Sequence, residues 1–139
     1  MPKILLAVAA IAVVSAVFIF TRQATPKSTQ TDPSTQVQSS SYFDYSPAAY
    51  TAAADKKRVL YFYATWCPTC GVANQDFTVN AAQIPPDVVI FRTDYDRETT
   101  LKTKYGVTYQ HTFVQVDKNG NELAKWNGGG LPELLRNLK

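Results

Sequence analysis

The sequence predicts an α/β domain, a central mixed sheet of about four strands flanked by helices, preceded by an N-terminal transmembrane or signal helix. Three observations predict it. Two continuous apolar runs of strand length, Val59 to Tyr63 and Val88 to Phe91, read as strands buried on both faces, the pattern of a sheet covered by helices on either side. Each run leads toward a segment with helical character. An Asn119-Gly120 pair between two further strand-like runs marks an antiparallel hairpin.

Taken in order, the chain opens with 17 residues, Ile4 to Phe20, whose only polar member is Ser15, between Lys3 and Arg22. As a helix rising ~1.5 Å per residue, such a run just spans a hydrocarbon core. Val14-Ser15-Ala16 also carries the small-residue pattern of a signal cleavage site, but a cleaved chain would begin on the strongly apolar Val17-Phe18-Ile19-Phe20, which favours an uncleaved anchor. Charges on the two sides nearly balance, so they do not orient the segment. A single signal-like segment ahead of one soluble domain implies that the domain lies outside the cytoplasm, periplasmic or extracellular. Residues 1–21 therefore read as anchor or signal segment. Residues 22–41, rich in Ser, Thr, Gln and Pro, bury too little apolar surface to offset chain entropy and read as a flexible linker. Residues 42–139 read as the domain.

Within it, Ser46 is an N-cap and Pro47 a first helical residue ahead of the helix-forming run Ala48 to Ala54. Arg58 to Ala64 is the first strand. Val72 to Ala82 is a helix stopped by Pro85-Pro86. Val88 to Phe91 is the second strand, and Glu98 to Tyr105 a short helix closed by Gly106. Thr112 to Val116 and Glu122 to Trp126 form the hairpin. Leu131 to Leu138 is the last helix, with Leu134, Leu135 and Leu138 on one face. Tyr61, Phe62, Phe91 and Phe113 are candidate core residues. Tyr42, Phe43 and Tyr45 pack the end of the linker onto the domain, and Lys56-Lys57-Arg58 reads as a solvated turn.

The 139 residues carry a formal charge of +3, but from Tyr42 onward there are 11 basic and 10 acidic residues. A nearly neutral domain excludes nucleic acid, whose binding needs a concentrated basic face. The only two cysteines, Cys67 and Cys70, form a single C-x-x-C at a strand-to-helix turn. Two are too few for a disulfide framework, and a staple across so short a loop restrains little of the unfolded chain. A helix N-terminus stabilises a thiolate through its unpaired N–H groups and dipole, so a redox pair fits the position. Metal ligation by Cys67, Cys70 and His111, holding zinc, or an iron–sulfur cluster shared between two chains, is the alternative. One C-x-x-C without a second pair is a weak metal signal, and no cofactor is the primary expectation.

The string Phe62-Tyr63-Ala64-Thr65-Trp66-Cys67-Pro68-Thr69-Cys70 at the end of the first strand resembles the thioredoxin family, over about residues 42 to 139. Tyr105-Gly106-Val107, and Gly128 ahead of Leu135, match further family positions. The resemblance implies a thioredoxin fold and a membrane-anchored extracytoplasmic thiol–disulfide oxidoreductase that exchanges disulfides with exported proteins. Cys67 would be the nucleophile and Cys70 the resolving thiol. Trp66 and the Gln110-His111-Thr112 loop would contact the client, and a membrane redox protein would supply or take the electrons. The alternative is a binding module on the same scaffold. Three positions depart from the family. Tyr61 stands where a buried aspartate is usual, Gly71 where a basic residue is common, and His111 where nearly all members have a cis-proline facing the cysteines. A cis bond before a residue other than proline costs ~3 kcal/mol, so Gln110-His111 is expected to be trans unless its surroundings hold it otherwise. His111 then reads either as a partly exposed loop residue that fills the space left by proline, or as an imidazole within a few ångströms of Cys67 that lowers that thiol's pKa when protonated. Gly128-Gly129-Gly130 is expected to give backbone room near the cysteines.

Overall fold

A computed structural model describes residues 41–139. The elements are β1 (Tyr42–Asp44), α1 (Pro47–Ala52), β2 (Lys57–Tyr63), α2 (Pro68–Val79), a short 3-10 turn (Ala81–Gln83), β3 (Val88–Asp94), α3 (Thr99–Lys104), β4 (Thr112–Val116), β5 (Glu122–Asn127) and α4 (Leu131–Asn137). The sheet runs β1-β3-β2-β4-β5, with β1, β3 and β2 parallel and β4 and β5 antiparallel.

Alternation along β2 divides the core. Val59 and Tyr61 face one layer with Phe77 of α2 and Leu131 and Leu134 of α4, while Leu60 and Phe62 face the other with Phe91, Tyr105 and Val107. Tyr61, Phe62, Phe91 and Phe113 are fully buried, as the apolar runs predict. The Asn-Gly hairpin forms, with Gly120 at φ 79 and the Asp117 carboxylate accepting from the backbone of Asn119 and Asn121.

Four expectations change. The sheet has five strands rather than about four, because Tyr42–Asp44 extends the parallel edge beside β3. Tyr42 packs its ring 5.3 Å from Phe77, and Phe43 sits edge-on to Phe91 at 5.2 Å. Helix α2 begins at Pro68, one turn earlier than the apolar spacing suggests, since the Cys67 sulfur caps it. Arg58 is buried rather than solvated. Its guanidinium lies over the Tyr50 ring and donates to the carbonyl oxygens of Tyr50, Asp117 and Lys118, fastening α1 to the hairpin turn. Leu135 is 40% exposed, so α4 packs through Leu131 and Leu134.

The anchor and linker expectations fall outside the described residues. Among the described residues no helix is long and apolar enough to cross a membrane.

Candidate active site

The site grows from the junction of β2 and α2. Cys67 leaves the strand in an extended conformation, φ −93 and ψ 111, and Pro68 opens the helix. This geometry turns the Cys67 sulfur back over the first turn, where it accepts the Cys70 N–H at 3.2 Å. Both cysteines are free thiols; Cys67 is 4% exposed and Cys70 fully buried.

His111 reaches the thiols from the opposite side. No peptide bond among the described residues is cis, and His111 sits at φ 60, the left-handed region that residues with a Cβ rarely occupy. Two backbone bonds hold it there. Its N–H donates to the Phe62 carbonyl at 2.7 Å, and its carbonyl accepts the Gly128 N–H at 2.8 Å. Both backbone groups of His111 are thus committed inside the domain, and the loop meets the thiols with side chains.

Two short contacts link the imidazole to Cys67, and a third anchors its far side. Nε2 lies 2.8 Å from the Gly129 carbonyl, Nδ1 lies 3.0 Å from Thr69 Oγ1, and that hydroxyl lies 3.3 Å from Cys67 Sγ. A carbonyl oxygen only accepts, so Nε2 carries the proton. In the neutral ring Nδ1 then accepts from the Thr69 hydroxyl, whose oxygen remains open to the Cys67 S–H. The result is a directed chain from thiol through hydroxyl to imidazole to carbonyl.

The glycine run makes this possible. Gly129 lies at φ 90, and a Cβ there would collide with Glu133. A Cβ on Gly130 would run into the Asp76 carboxylate, which accepts the Leu131 N–H at 2.7 Å and fastens the start of α4 to α2. That fastening sets the Gly129 carbonyl opposite His111.

The two thiols differ electrostatically. Burial opposes ionisation of Cys67, but hydrogen bonds from Cys70, Thr69, the Cys70 backbone and Gln110 outweigh it, and the thiol is held below its ordinary range. Burial pushes Cys70 up to about 11. Tyr61, in the place of the usual carboxylate, donates its hydroxyl to the Cys70 carbonyl at 3.0 Å, and burial followed by the neighbouring Cys70 drives its ionisation far upward. It fills the site as a structural donor and holds its proton.

The remaining expected residues fall around this centre. Trp66 is 58% exposed, with Nε1 donating to Asp96 at 2.9 Å and its ring edge-on to Tyr95. Thr112 turns away from the thiols, donating to the Tyr109 carbonyl and accepting from Asn127, which also donates to the Gln110 carbonyl. Cys67, Cys70 and His111 bring one ligand atom each within 4.8 Å of one another. Sequence reasoning did not find the Thr69 hydroxyl, the Gly129 carbonyl or Asp76. The clue to Thr69 was its place between the cysteines, but nothing in the order of residues joins it to a histidine 42 positions away.

The sequence model of the family described as Thioredoxin matches residues 37–138. The chain belongs to the thioredoxin family. It is 35% identical over 77 residues to Thioredoxin-1 of Drosophila melanogaster, covering 55% of this chain and 71% of that protein. It is 32% identical over 90 residues to Thioredoxin H3 of Arabidopsis thaliana, covering 63% and 75%. Among solved structures, the germline-specific thioredoxin Deadhead of Drosophila melanogaster matches with TM-score 0.57 and 31% identity over 64% of this chain and 84% of that one. Trxlp of Edwardsiella tarda matches with TM-score 0.57 and 27% identity over 68% and 93%. This thioredoxin-like chain is a thiol–disulfide oxidoreductase, and thioredoxins in general act on protein disulfides.

Proposed function

We propose that the chain is held to a membrane through residues 4–20, with its thioredoxin domain outside the cytoplasm, and exchanges disulfides with exported proteins. The contrast between a thiol held low at the N-cap and a buried thiol pushed up to about 11 carries the assignment of roles. Cys67 is the nucleophile. Its proton passes to the Thr69 oxygen as the Thr69 hydroxyl proton passes to His111 Nδ1, and the thiolate attacks one sulfur of a client disulfide, expelling a client thiolate. Cys70 then attacks Cys67 Sγ, closing the Cys67–Cys70 disulfide. The second client sulfur leaves and takes up the proton that Cys70 gives up. Trp66 offers an exposed aromatic face beside the mixed disulfide, and Gln110 adds to the hydrogen bonding that holds the Cys67 thiol low. A membrane redox protein returns the pair to its working state.

The apolar run of residues 4–20 supports the anchor, and the experiment separates anchor from chemistry. In intact cells producing the full chain with Cys70→Ser, a membrane-impermeant maleimide should label Cys67 without lysis, and the protein should accumulate mixed disulfides with exported proteins. Labelling only after lysis would refute the placement. Exchange that persists in Cys67→Ser would refute the roles.

A further inference from the structure

The protonated Nε2 of His111 leaves a lone pair on Nδ1, and its proton is donated to the Gly129 carbonyl at 2.8 Å. This is the outer-shell arrangement that metal-binding histidines use, one ring nitrogen fixed by a backbone carbonyl and the other free to ligate. Two thiol sulfurs lie on the same side, and the three ligand atoms are all within 4.8 Å of one another. All three residues are buried, at 4%, 0% and 7% exposure for Cys67, Cys70 and His111. We infer that the reduced protein binds one zinc ion through Cys67 Sγ, Cys70 Sγ and His111 Nδ1.

The donor set selects the ion. Two thiolates and one neutral imidazole around a divalent cation sum to zero charge, which a buried site tolerates. Thiolate and imidazole are the ligands zinc takes, and three protein ligands leave a fourth position for water or a client thiolate. Tetrahedral zinc separates such ligand atoms by about 3.5–3.8 Å, so the widest gap must close by roughly 1 Å. The Thr69 hydroxyl now bridges Nδ1 and Cys67 Sγ and must rotate aside, a change of one side-chain torsion at the surface of α2.

Binding displaces the two thiol protons: the dithiol and Zn²⁺ give the zinc dithiolate and two protons. Oxidation reverses it, and here the inference rests on the thiol–disulfide reading. A client disulfide takes two electrons from the zinc dithiolate and two protons from solvent, yielding the Cys67–Cys70 disulfide, two client thiols and free Zn²⁺. Zinc thus masks the reduced pair until a client disulfide arrives.

The test uses the full chain in detergent, reduced, stripped with a chelator and titrated with Zn²⁺ against a chromophoric competitor. A parallel titration uses Co²⁺, whose thiolate charge-transfer and tetrahedral ligand-field bands report the donors. The expected result is one ion per chain when reduced, none when oxidised and none in Cys67→Ser. His111→Ala, with its fold checked by circular dichroism, should bind at least about tenfold more weakly, because losing a ligand should cost at least what losing an outer-shell partner does. Thr69→Val, which removes the bridge and keeps all three ligands, should bind at least as tightly as wild type. No binding by the reduced wild type, a folded His111→Ala that binds unchanged, or one ion shared between two chains would each overturn the site. Disulfide exchange measured on the same metal-free sample keeps the readings apart. Exchange without zinc binding removes only this inference, whereas zinc binding without exchange removes the exchange chemistry.

Discussion

Replacing His111 with proline would restore the residue most of the family carries, and the structure makes that the most damaging simple change at the site. Proline fixes φ near about −65° and has no N–H. His111 sits at φ 60 and donates its N–H to the Phe62 carbonyl at 2.7 Å. Leaving that buried acceptor unpaired costs ~1–3 kcal/mol. The two ring bonds, to Thr69 and Gly129, contribute ~0.5–1.5 kcal/mol each. Turning φ by so wide an angle also breaks the bond from the Gly128 N–H, a further ~1 kcal/mol. The sum is about 3–7 kcal/mol, against the ~5–15 kcal/mol that stabilises a typical domain. His111→Gly provides the comparison. Glycine loses the same ring bonds but keeps the backbone bonds and relieves ~1–2 kcal/mol of left-handed strain, so it should lie within about 2 kcal/mol of wild type. Urea unfolding of the reduced chain, followed by the fluorescence of Trp66 and Trp126, measures both. A His111→Pro protein as stable as wild type would refute the reasoning, because the loop would then accept the family's proline without the histidine's backbone bonds. So would a His111→Gly protein as unstable as His111→Pro.

Three other perturbations test the site's parts. Thr69→Val removes a hydroxyl that holds the Cys67 thiol below its ordinary range, so iodoacetamide should alkylate Cys67 about 2- to 10-fold more slowly below the ionisation midpoint, which moves upward; an unchanged pH profile would rule out the bridge. Cys70 ionises at about 11 in the fold against an ordinary value of 9.0, so its stabilising contribution is present below 9.0 and lost as pH rises through about 11. Chemical denaturation across that window should show a shallower decline in Cys70→Ala than in the reduced wild type, and parallel curves would refute the shift. Gly130→Ala drives a methyl into Asp76 and should cost ~1–3 kcal/mol, while combining it with Asp76→Ala should cost less than the sum of the two. Additive losses in thermal unfolding would show that the two residues do not meet.

The parts legible in the sequence are those with a strong local signature. The β2 and β3 runs, the Asn119-Gly120 hairpin and the buried aromatics all follow from apolar patterning or turn chemistry. What was not legible depends on partners far along the chain. Tyr42–Asp44 is too short to show a period and becomes a strand only by pairing with β3. Arg58 reads as part of a charged turn, yet carbonyls from α1 and the hairpin turn draw it inward. Apolar spacing places the start of α2 a turn late because the helix's cap is a sulfur, which no such spacing reveals. The link from Cys67 through Thr69 and His111 to Gly129 needs a histidine at positive φ, a conformation imposed by Phe62 and Gly128 rather than by its own preference.

The short strand β1 has a consequence for how this molecule behaves among copies of itself. By pairing along β3 it covers backbone groups of a long strand, apolar from Val88 to Phe91, that would otherwise invite strands from other molecules. The edge left in its place is three residues long and ends at Asp44, whose carboxylate is paired with Arg92. The opposite edge, β5, carries Glu122 and Lys125. Each flank therefore ends in a strand that is brief or charged, which discourages edge-to-edge fibre growth even where many chains crowd together.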